Sequence, residues 1–414
     1  MKKRNVPKLR FKGFEDEWRE YKIGDLYSDL KAGSTPSKLK VEYFKGNIPW
    51  ITSGELKSKY INSTLEYITE EAKNSANLKL YDEGTLFIAI TGLEAPGTRG
   101  SCAISKIKAT TNQSCLAFQK SNLVNNEFVY YWYNLYGEYI GITYTQGTKQ
   151  QSLNNKLVGQ LKINIPILKE QTKIANFLSN VDNIIEEQEG KVKDLEQYKK
   201  GMVQKIFKQE VRFKDENGGE YPEWEENKFE NYFDHLGGIA LEKYTNEVSE
   251  YKFISIGNYS VTRKYFDNGK RIELNEKTKE KLLDKDNLVM VLNDKTSSGE
   301  ILGTAILIDE NNKYIYNQRS ERLICKENIT PKFAWFKINS KSFRKKIINL
   351  AQGGTQIYVN FSNVKKLIFE LPCIEEQTKI ANFLSNIDNI IEEEKKKLED
   401  LKLWKKGLLQ QMFV

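Results

Sequence analysis

Histidine is nearly absent: His235 is the only one in 414 residues. A paired-histidine metal site cannot be assembled within the chain, and a Ser–His or Cys–His device could exist at most once. The four cysteines, Cys102, Cys115, Cys325 and Cys373, show no C-x-x-C spacing. That argues against a zinc cluster, and four in so long a chain point to a reducing cytoplasm, not a disulfide framework. Long apolar runs are missing too. The longest, such as residues 288–292, fall far short of the ~20 residues a membrane span needs. The basic start, Met1-Lys2-Lys3-Arg4-Asn5-Val6-Pro7, leads into no apolar segment of the signal-peptide kind. No two glycines stand as G-x-G and no G-K-S or G-K-T occurs, which removes the dinucleotide fingerprint and the P-loop. No N-P-P-Y or D-P-P-Y is found, which counts against an adenine methyltransferase. No proline precedes an aspartate, which weakens the commonest nuclease pattern. The sequence thus offers no plausible active site of these kinds.

What is present is a duplication. Glu170-Gln171-Thr172-Lys173-Ile174-Ala175-Asn176-Phe177-Leu178-Ser179-Asn180 recurs unchanged from Glu376 to Asn386. Extended to 170–207 against 376–413, 25 of 38 positions are identical. Weaker echoes link Glu17-Trp18 with Glu223-Trp224, Asn112-Gln113 with Asn317-Gln318, and Gln146-Gly147 with Gln352-Gly353. Two variable blocks thus alternate with two copies of a repeated block.

Within the repeat, Ile174, Val181, Gln188, Leu195 and Met202 recur every seven residues, with Leu178, Ile185, Val192 and Ile206 beside them. The second copy carries Ile380, Ile387, Glu394, Leu401 and Leu408, flanked by Leu384, Ile391, Leu398 and Met412. Two such lanes make a coiled-coil seam, and 38 residues of helix run ~57 Å. Pro166 and Pro372 stop each helix from extending backwards. The polar Gln188 and Glu394 either fix register or mark a solvated gap. Matching stripes joined by a globular block predict an antiparallel pair and a roughly two-fold arrangement within one chain. Such an arrangement offers the same surface twice, hence two copies of one partner.

The variable blocks mix strand-like runs (48–52, 85–91, 102–105; then 251–256, 287–292, 304–308) with helical stretches near 127–140 and 331–349. The fold expected is α+β, with domains at 1–168 and 208–374 and helices at 169–207 and 375–414. Tyr130-Tyr131-Trp132-Tyr133 reads as a packed helix face.

The net charge is +8, of which the first 207 residues hold +7. Residues 1–12 carry Lys2, Lys3, Arg4, Lys8, Arg10 and Lys12, and residues 332–346 carry Lys332, Lys337, Lys341, Arg344, Lys345 and Lys346, without acids. Such runs serve phosphate contact or are simply solvated faces. Polar, glycine-punctuated loops follow the strand-like runs: 33–38, 97–101 and 145–151 in the first block, 293–299 and 352–356 in the second. Arg reads guanine bidentately and Asn or Gln reads adenine, so these side chains suit base edges; they are also ordinary turn formers. The candidate DNA-contacting residues in the first block are Ser34, Thr35, Ser37, Lys38, Lys57, Arg99, Asn112, Gln113, Gln146, Thr148, Lys149 and Gln150. In the second they are Arg263, Lys264, Lys295, Thr296, Ser297, Gln318, Arg319, Gln352, Thr355, Gln356 and Tyr358.

The pattern resembles the specificity subunits of type I restriction–modification systems. It is carried by Pro7-Lys8-Leu9-Arg10-Phe11 with Trp18, by Gly33-Ser34-Thr35-Pro36-Ser37, by the Gln-Gly-Thr loop, and by Ile165-Pro166 leading to Glu170-Gln171-Thr172-Lys173-Ile174-Ala175. Leu371-Pro372 to Ala381 repeats the last element, while Gly237-Gly238-Ile239-Ala240 departs by lacking Ser-Thr-Pro. The resemblance implies a non-catalytic DNA-binding chain with two target recognition domains separated by antiparallel helices. Each domain would read one half of a gapped double-stranded site. It implies two methyltransferase subunits docked at Gln171, Ile174, Phe177, Leu178, Gln377, Ile380, Phe383 and Leu384. Two restriction subunits would join them, with S-adenosylmethionine, ATP and Mg on those partners. Residence would be cytoplasmic, without a membrane. The rival reading is a structural adaptor that dimerises protein partners through its duplicated helices.

Overall fold

The heptad stripes become two long helices, Leu168–Phe207 and Ile374–Met412, each beginning two residues after its proline. The computed structural model describes residues 5–95, 97–145 and 151–414. The chain divides into two compact units, Met1–Glu189 with Lys396–Val414, and Gly190–Lys395. Each unit holds the N-terminal part of one long helix and the C-terminal part of the other.

In the first unit Asp182 pairs with Lys405 at 2.5 Å and Glu189 with Lys402 at 2.6 Å. In the second, Lys199 pairs with Asp388 and Glu196 with Lys395, both at 2.5 Å. Positions rise along one helix as they fall along the other, so the segments run antiparallel in each unit. Glu394 is 5% exposed and ion-paired with Lys191 at 3.1 Å, so that polar heptad position is not a solvated gap.

The helix segments belong to the cores of the blocks. In the first unit Ile174, Leu178, Val181 and Ile185 pack with Leu408, Leu409 and Met412 and with Trp18 and Phe128. In the second, Ile380, Ala381 and Leu384 pack with Ile206, Phe207, Trp224 and Phe333. The first block also builds a five-stranded sheet in the order Lys31–Ala32, Cys115–Phe118, Leu86–Ala89, Cys102–Ser105, Tyr60–Ile61. The second builds a four-stranded sheet in the order Phe233–Gly237, Ser320–Cys325, Leu288–Val291, Ala305–Leu307. In each block a parallel pair follows the same plan: Ile48–Ile51 with Thr110–Thr111, and Tyr251–Ile254 with Tyr314–Tyr316. The aromatic helix Asn126–Tyr144 buries Tyr130, Tyr131, Trp132 and Tyr133, as the packed-face reading expects.

The stretch 331–349 is two helices, Pro331–Ile338 and Lys341–Ile348, not one. Ser340 restarts the helix by accepting the Phe343 N–H at 3.3 Å. Its cations accordingly do not form one phosphate-facing stripe. Lys337 is 2% exposed and shares Glu370 with Lys346, at 2.9 and 3.1 Å. Arg344 donates to the Gly299 and Glu300 carbonyls at 2.8 and 2.7 Å. Only Lys332, Lys341 and Lys345 of that run are exposed. Arg10 is likewise committed, to Glu170 through two bonds of 2.8 and 2.9 Å.

Candidate nucleic-acid interface

Loops distant in sequence meet through backbone hydrogen bonds, by the same plan in both units. In the second, the short strands Asn293–Asp294, Ile357–Tyr358 and Gln352–Gly353 form one small sheet. It gathers Lys295, Thr296 and Ser297 with Gln352, Thr355, Gln356 and Tyr358, all exposed. The Leu292 N–H donates to the Arg319 carbonyl and the Val359 N–H to the Leu292 carbonyl, both at 2.9 Å. The Gln318–Arg319 turn is thereby joined to the same platform. In the first unit the Ile90 N–H donates to the Ser114 carbonyl at 2.9 Å and the Leu153 N–H to the Ile90 carbonyl at 2.8 Å.

A glycine loop closes each platform on its Asn-Gln turn. The Gly33 N–H donates to the Asn112 carbonyl at 3.1 Å, and the Gly238 N–H to the Ser320 carbonyl at 3.0 Å. A Cβ at Gly33 would stand 1.7 Å from the Thr111 carbonyl oxygen, and one at Gly238 1.8 Å from that of Asn317. Only glycine permits that approach. The second block's loop lacks Ser-Thr-Pro but retains the residue the geometry needs. In the first unit the contact brings Ser34 and Thr35 to Asn112 and Gln113: Thr35 Oγ1 donates to Gln113 Oε1, and the Trp50 indole donates to the Ser34 carbonyl at 3.2 Å. Ser37, Lys38 and Lys57 are exposed but lie outside this hydrogen-bonded cluster.

The 293–299 loop is held from beneath. Asp294 accepts the Thr296 and Ile301 N–H groups, both at 2.9 Å. Burial raises its pKa, but those bonds outweigh it and hold the carboxyl below its ordinary range. Arg263 donates to the Glu300 carbonyl at 2.8 Å and to Thr304 Oγ1 at 2.9 Å. Burial and then neighbouring Arg263 push the Arg344 guanidinium down to about 10.

Three of the expected DNA contacts are engaged by partners inside their own unit. Arg263 supports the loop from below. Lys264 pairs with Glu392 of a long helix. Arg99 lies over Gly141, where a Cβ would stand 2.9 Å from its Cγ, and donates to Gln151 at 2.9 Å. Its other amino group faces Glu138 at 3.5 Å. Gln146, Thr148, Lys149 and Gln150 lie outside the described residues.

The residues expected to dock a partner on the helices are mostly interior. Ile174, Leu178, Ile380 and Leu384 are core residues, and Phe177 and Phe383 pack edge-on against Phe11 and Phe213. Gln171 and Gln377 are 0% exposed. Gln171 accepts the Asn125 N–H at 2.9 Å and donates to the Pro166 and Leu123 carbonyls at 2.8 and 3.3 Å. Gln377 accepts the Thr330 N–H at 2.8 Å and donates to the Pro372 and Asn328 carbonyls, both at 2.9 Å. The preceding acids hold matched arginines, Glu170 with Arg10 and Glu376 with Arg212. The repeated Glu-Gln pair therefore ties each long helix to its block. A docking protein would not reach it.

A different set faces outward. Thr172, Asn176, Asn180, Asn183, Ile184 and Glu187 are exposed, and so are their identical copies Thr378, Asn382, Asn386, Asn389, Ile390 and Glu393. Their spacing of i, i+4, i+8, i+11, i+12 and i+15 makes one stripe on a helix. Packing cannot account for identity at exposed positions. The signal was in the duplication itself, once buried and exposed identities are separated.

Among the described residues, no group of three or more His, Cys, Asp or Glu is placed to hold a metal ion, and no helix is long and apolar enough to cross a membrane.

The profile of the type I restriction modification DNA specificity domain matches residues 15–197 and again 188–403. The chain is 26% identical over 421 residues to the type I restriction enzyme MjaVIII specificity subunit of Methanocaldococcus jannaschii, covering 99% of this chain and 95% of that protein. It is 29% identical over 179 residues to the EcoR124I/EcoR124II specificity subunit of Escherichia coli, covering 42% of this chain and 43% of that one. Among solved structures, a type I restriction–modification S subunit from M. genitalium matches with a TM-score of 0.57 at 16% identity, covering 99% of both chains. A chain from a structural study of complex assembly and conformational transition in the type I R-M system matches with a TM-score of 0.62 at 12% identity, covering 97% of this chain and 98% of that one. At such identities these structures speak for the fold alone.

Proposed function

Because the chain belongs to the type I restriction modification DNA specificity family, we propose that each unit reads one half of a bipartite, gapped site in double-stranded DNA. The loop platform does the reading and the long helices fix the gap. The observation that carries this is the repetition of one hydrogen-bonded platform in both units with different side chains on it. A constant frame with variable polar ends is what two different half-sites require.

The outward stripes Thr172–Glu187 and Thr378–Glu393, being identical, suit two copies of one modification subunit. Those subunits would bring S-adenosylmethionine and the methyl transfer to adenine, and two restriction subunits would bring ATP, Mg and translocation. The chain itself would supply recognition without catalysis, in the cytoplasm.

The test is to exchange residues 8–165 for the corresponding block of another family member and to map the methylated sites. One half of the motif changes and the other half and the spacing persist. A motif altered in both halves, or in neither, refutes the assignment. An adaptor that binds only protein would instead give a partner-bound complex with no salt-dependent affinity for duplex DNA.

A further inference from the structure

Position 319 of the second platform has a counterpart of the same backbone geometry in the first, but a different side chain stands on it. Asn317 Oδ1 accepts the Arg319 N–H at 3.0 Å, as Asn112 Oδ1 accepts the Ser114 N–H at 3.0 Å. The Arg319 carbonyl accepts from Leu292 and the Ser114 carbonyl from Ile90, both at 2.9 Å. Asn317 is itself fixed: its N–H donates to the Ile254 carbonyl at 3.1 Å and its amide to Glu242 at 3.1 Å. Next to it, Ser320 accepts the Tyr259 hydroxyl at 2.8 Å.

The guanidinium on this fixed backbone is unengaged among the described residues, unlike the other arginines of the second block. Arg263 and Arg344 hold carbonyls under the 293–299 loop, Arg271 pairs with Asp267 at 2.8 Å, and Arg322 faces the Leu282 carbonyl at 3.4 Å. In the first unit Arg99 is held by Gln151. Arg319 is exposed and lines a cleft of about 880 Å³ with Lys295, Asn317, Ser255 and Asn268.

We infer that Arg319 is a specificity-determining residue that reads a guanine in the half-site of the second unit. Ser114 occupies the equivalent reading position of the first unit, where no guanidinium is offered. This role depends on the DNA reading proposed above and goes beyond it in assigning one base to one residue. A planar fork matches the O6 and N7 acceptors of guanine bidentately. A backbone already pinned on both sides of the residue leaves only the side chain to be ordered on binding.

The experiment expresses the chain with its cognate modification subunits and maps methylation by long-read sequencing for wild type, Arg319→Ala and Arg319→Lys. The wild type gives a two-part motif. Arg319→Ala relaxes one guanine of one half, with about 5- to 150-fold less discrimination there, and leaves the other half and the gap intact. Arg319→Lys relaxes the same position, because an ammonium has no fork. An unchanged motif, or methylation weakened equally at all sites as for a phosphate contact, overturns the role of Arg319 while leaving the specificity reading standing. A wild type that confers no two-part motif refutes that reading itself, and Arg319 with it.

Discussion

Replacing Gln171 by Ala tests whether the repeated Glu-Gln pair is a tie between long helix and block. The side chain is fully enclosed and serves three backbone groups: the N–H of Asn125, the residue that caps the helix Asn126–Tyr144, and the carbonyls of Pro166 and Leu123. Leaving the buried Pro166 carbonyl without a donor costs about 1–3 kcal/mol, and each part-buried bond contributes about 0.5–1.5 kcal/mol. The variant therefore loses about 3 kcal/mol in the first unit. Hydrogen exchange read by mass spectrometry gives the answer unit by unit. Amides of the helix Asn126–Tyr144 that exchange by opening of the unit speed up about 100-fold, since ~1.4 kcal/mol is a factor of ten. Those of Pro331–Ile338, in the second unit, stay as they were. Gln171→Glu does not rescue, because it sets a carboxylate against two carbonyl oxygens. An acceleration below about threefold, or an equal one in both units, refutes the reasoning. Gln377→Ala gives the mirror result.

Two further outcomes are expected. Asn180→Arg places a bulky charge on one outward stripe and Asn386→Arg on the other, both at exposed positions. Each costs the assembly one modification subunit and the double variant both, read by native mass spectrometry; two subunits retained by either single variant would remove the stripes from the interface. Asp267 is held below its ordinary pKa chiefly by the hydrogen bond from Arg271, against a smaller effect of burial. A depressed carboxylate contributes stability above its unfolded pKa of about 3.9 and loses it as pH falls through the lower folded value. Asp267→Asn therefore lowers the urea midpoint at pH 6, and the difference from wild type narrows towards pH 3; a pH-independent difference would deny the ion pair that role.

The sequence alone determined the duplication, the two heptad helices with their prolines, and the family, because these are written in local periodicity and in repeated residues. It also determined which loops carry polar, base-matching side chains. It did not determine which of those side chains are engaged by partners within the fold. Arg99, Arg263 and Lys264 have the chemistry of DNA contacts, yet Gln151, the Glu300 carbonyl and Glu392 engage them. Their partners lie 37 to 128 residues away in the chain, and no local pattern records that separation. Identity between the two copies misled for a related reason. Gln171 and Asn180 are equally invariant, but one is locked inside a unit and the other faces solvent. Only the packing of long helix on block divides them. The echo of Asn112-Gln113 in Asn317-Gln318 already aligns Ser114 with Arg319, but that the two stand on one backbone geometry was decided by tertiary hydrogen bonds from Ile90 and Leu292. Those bonds fix the same backbone in both units and leave the side chain at its tip to differ.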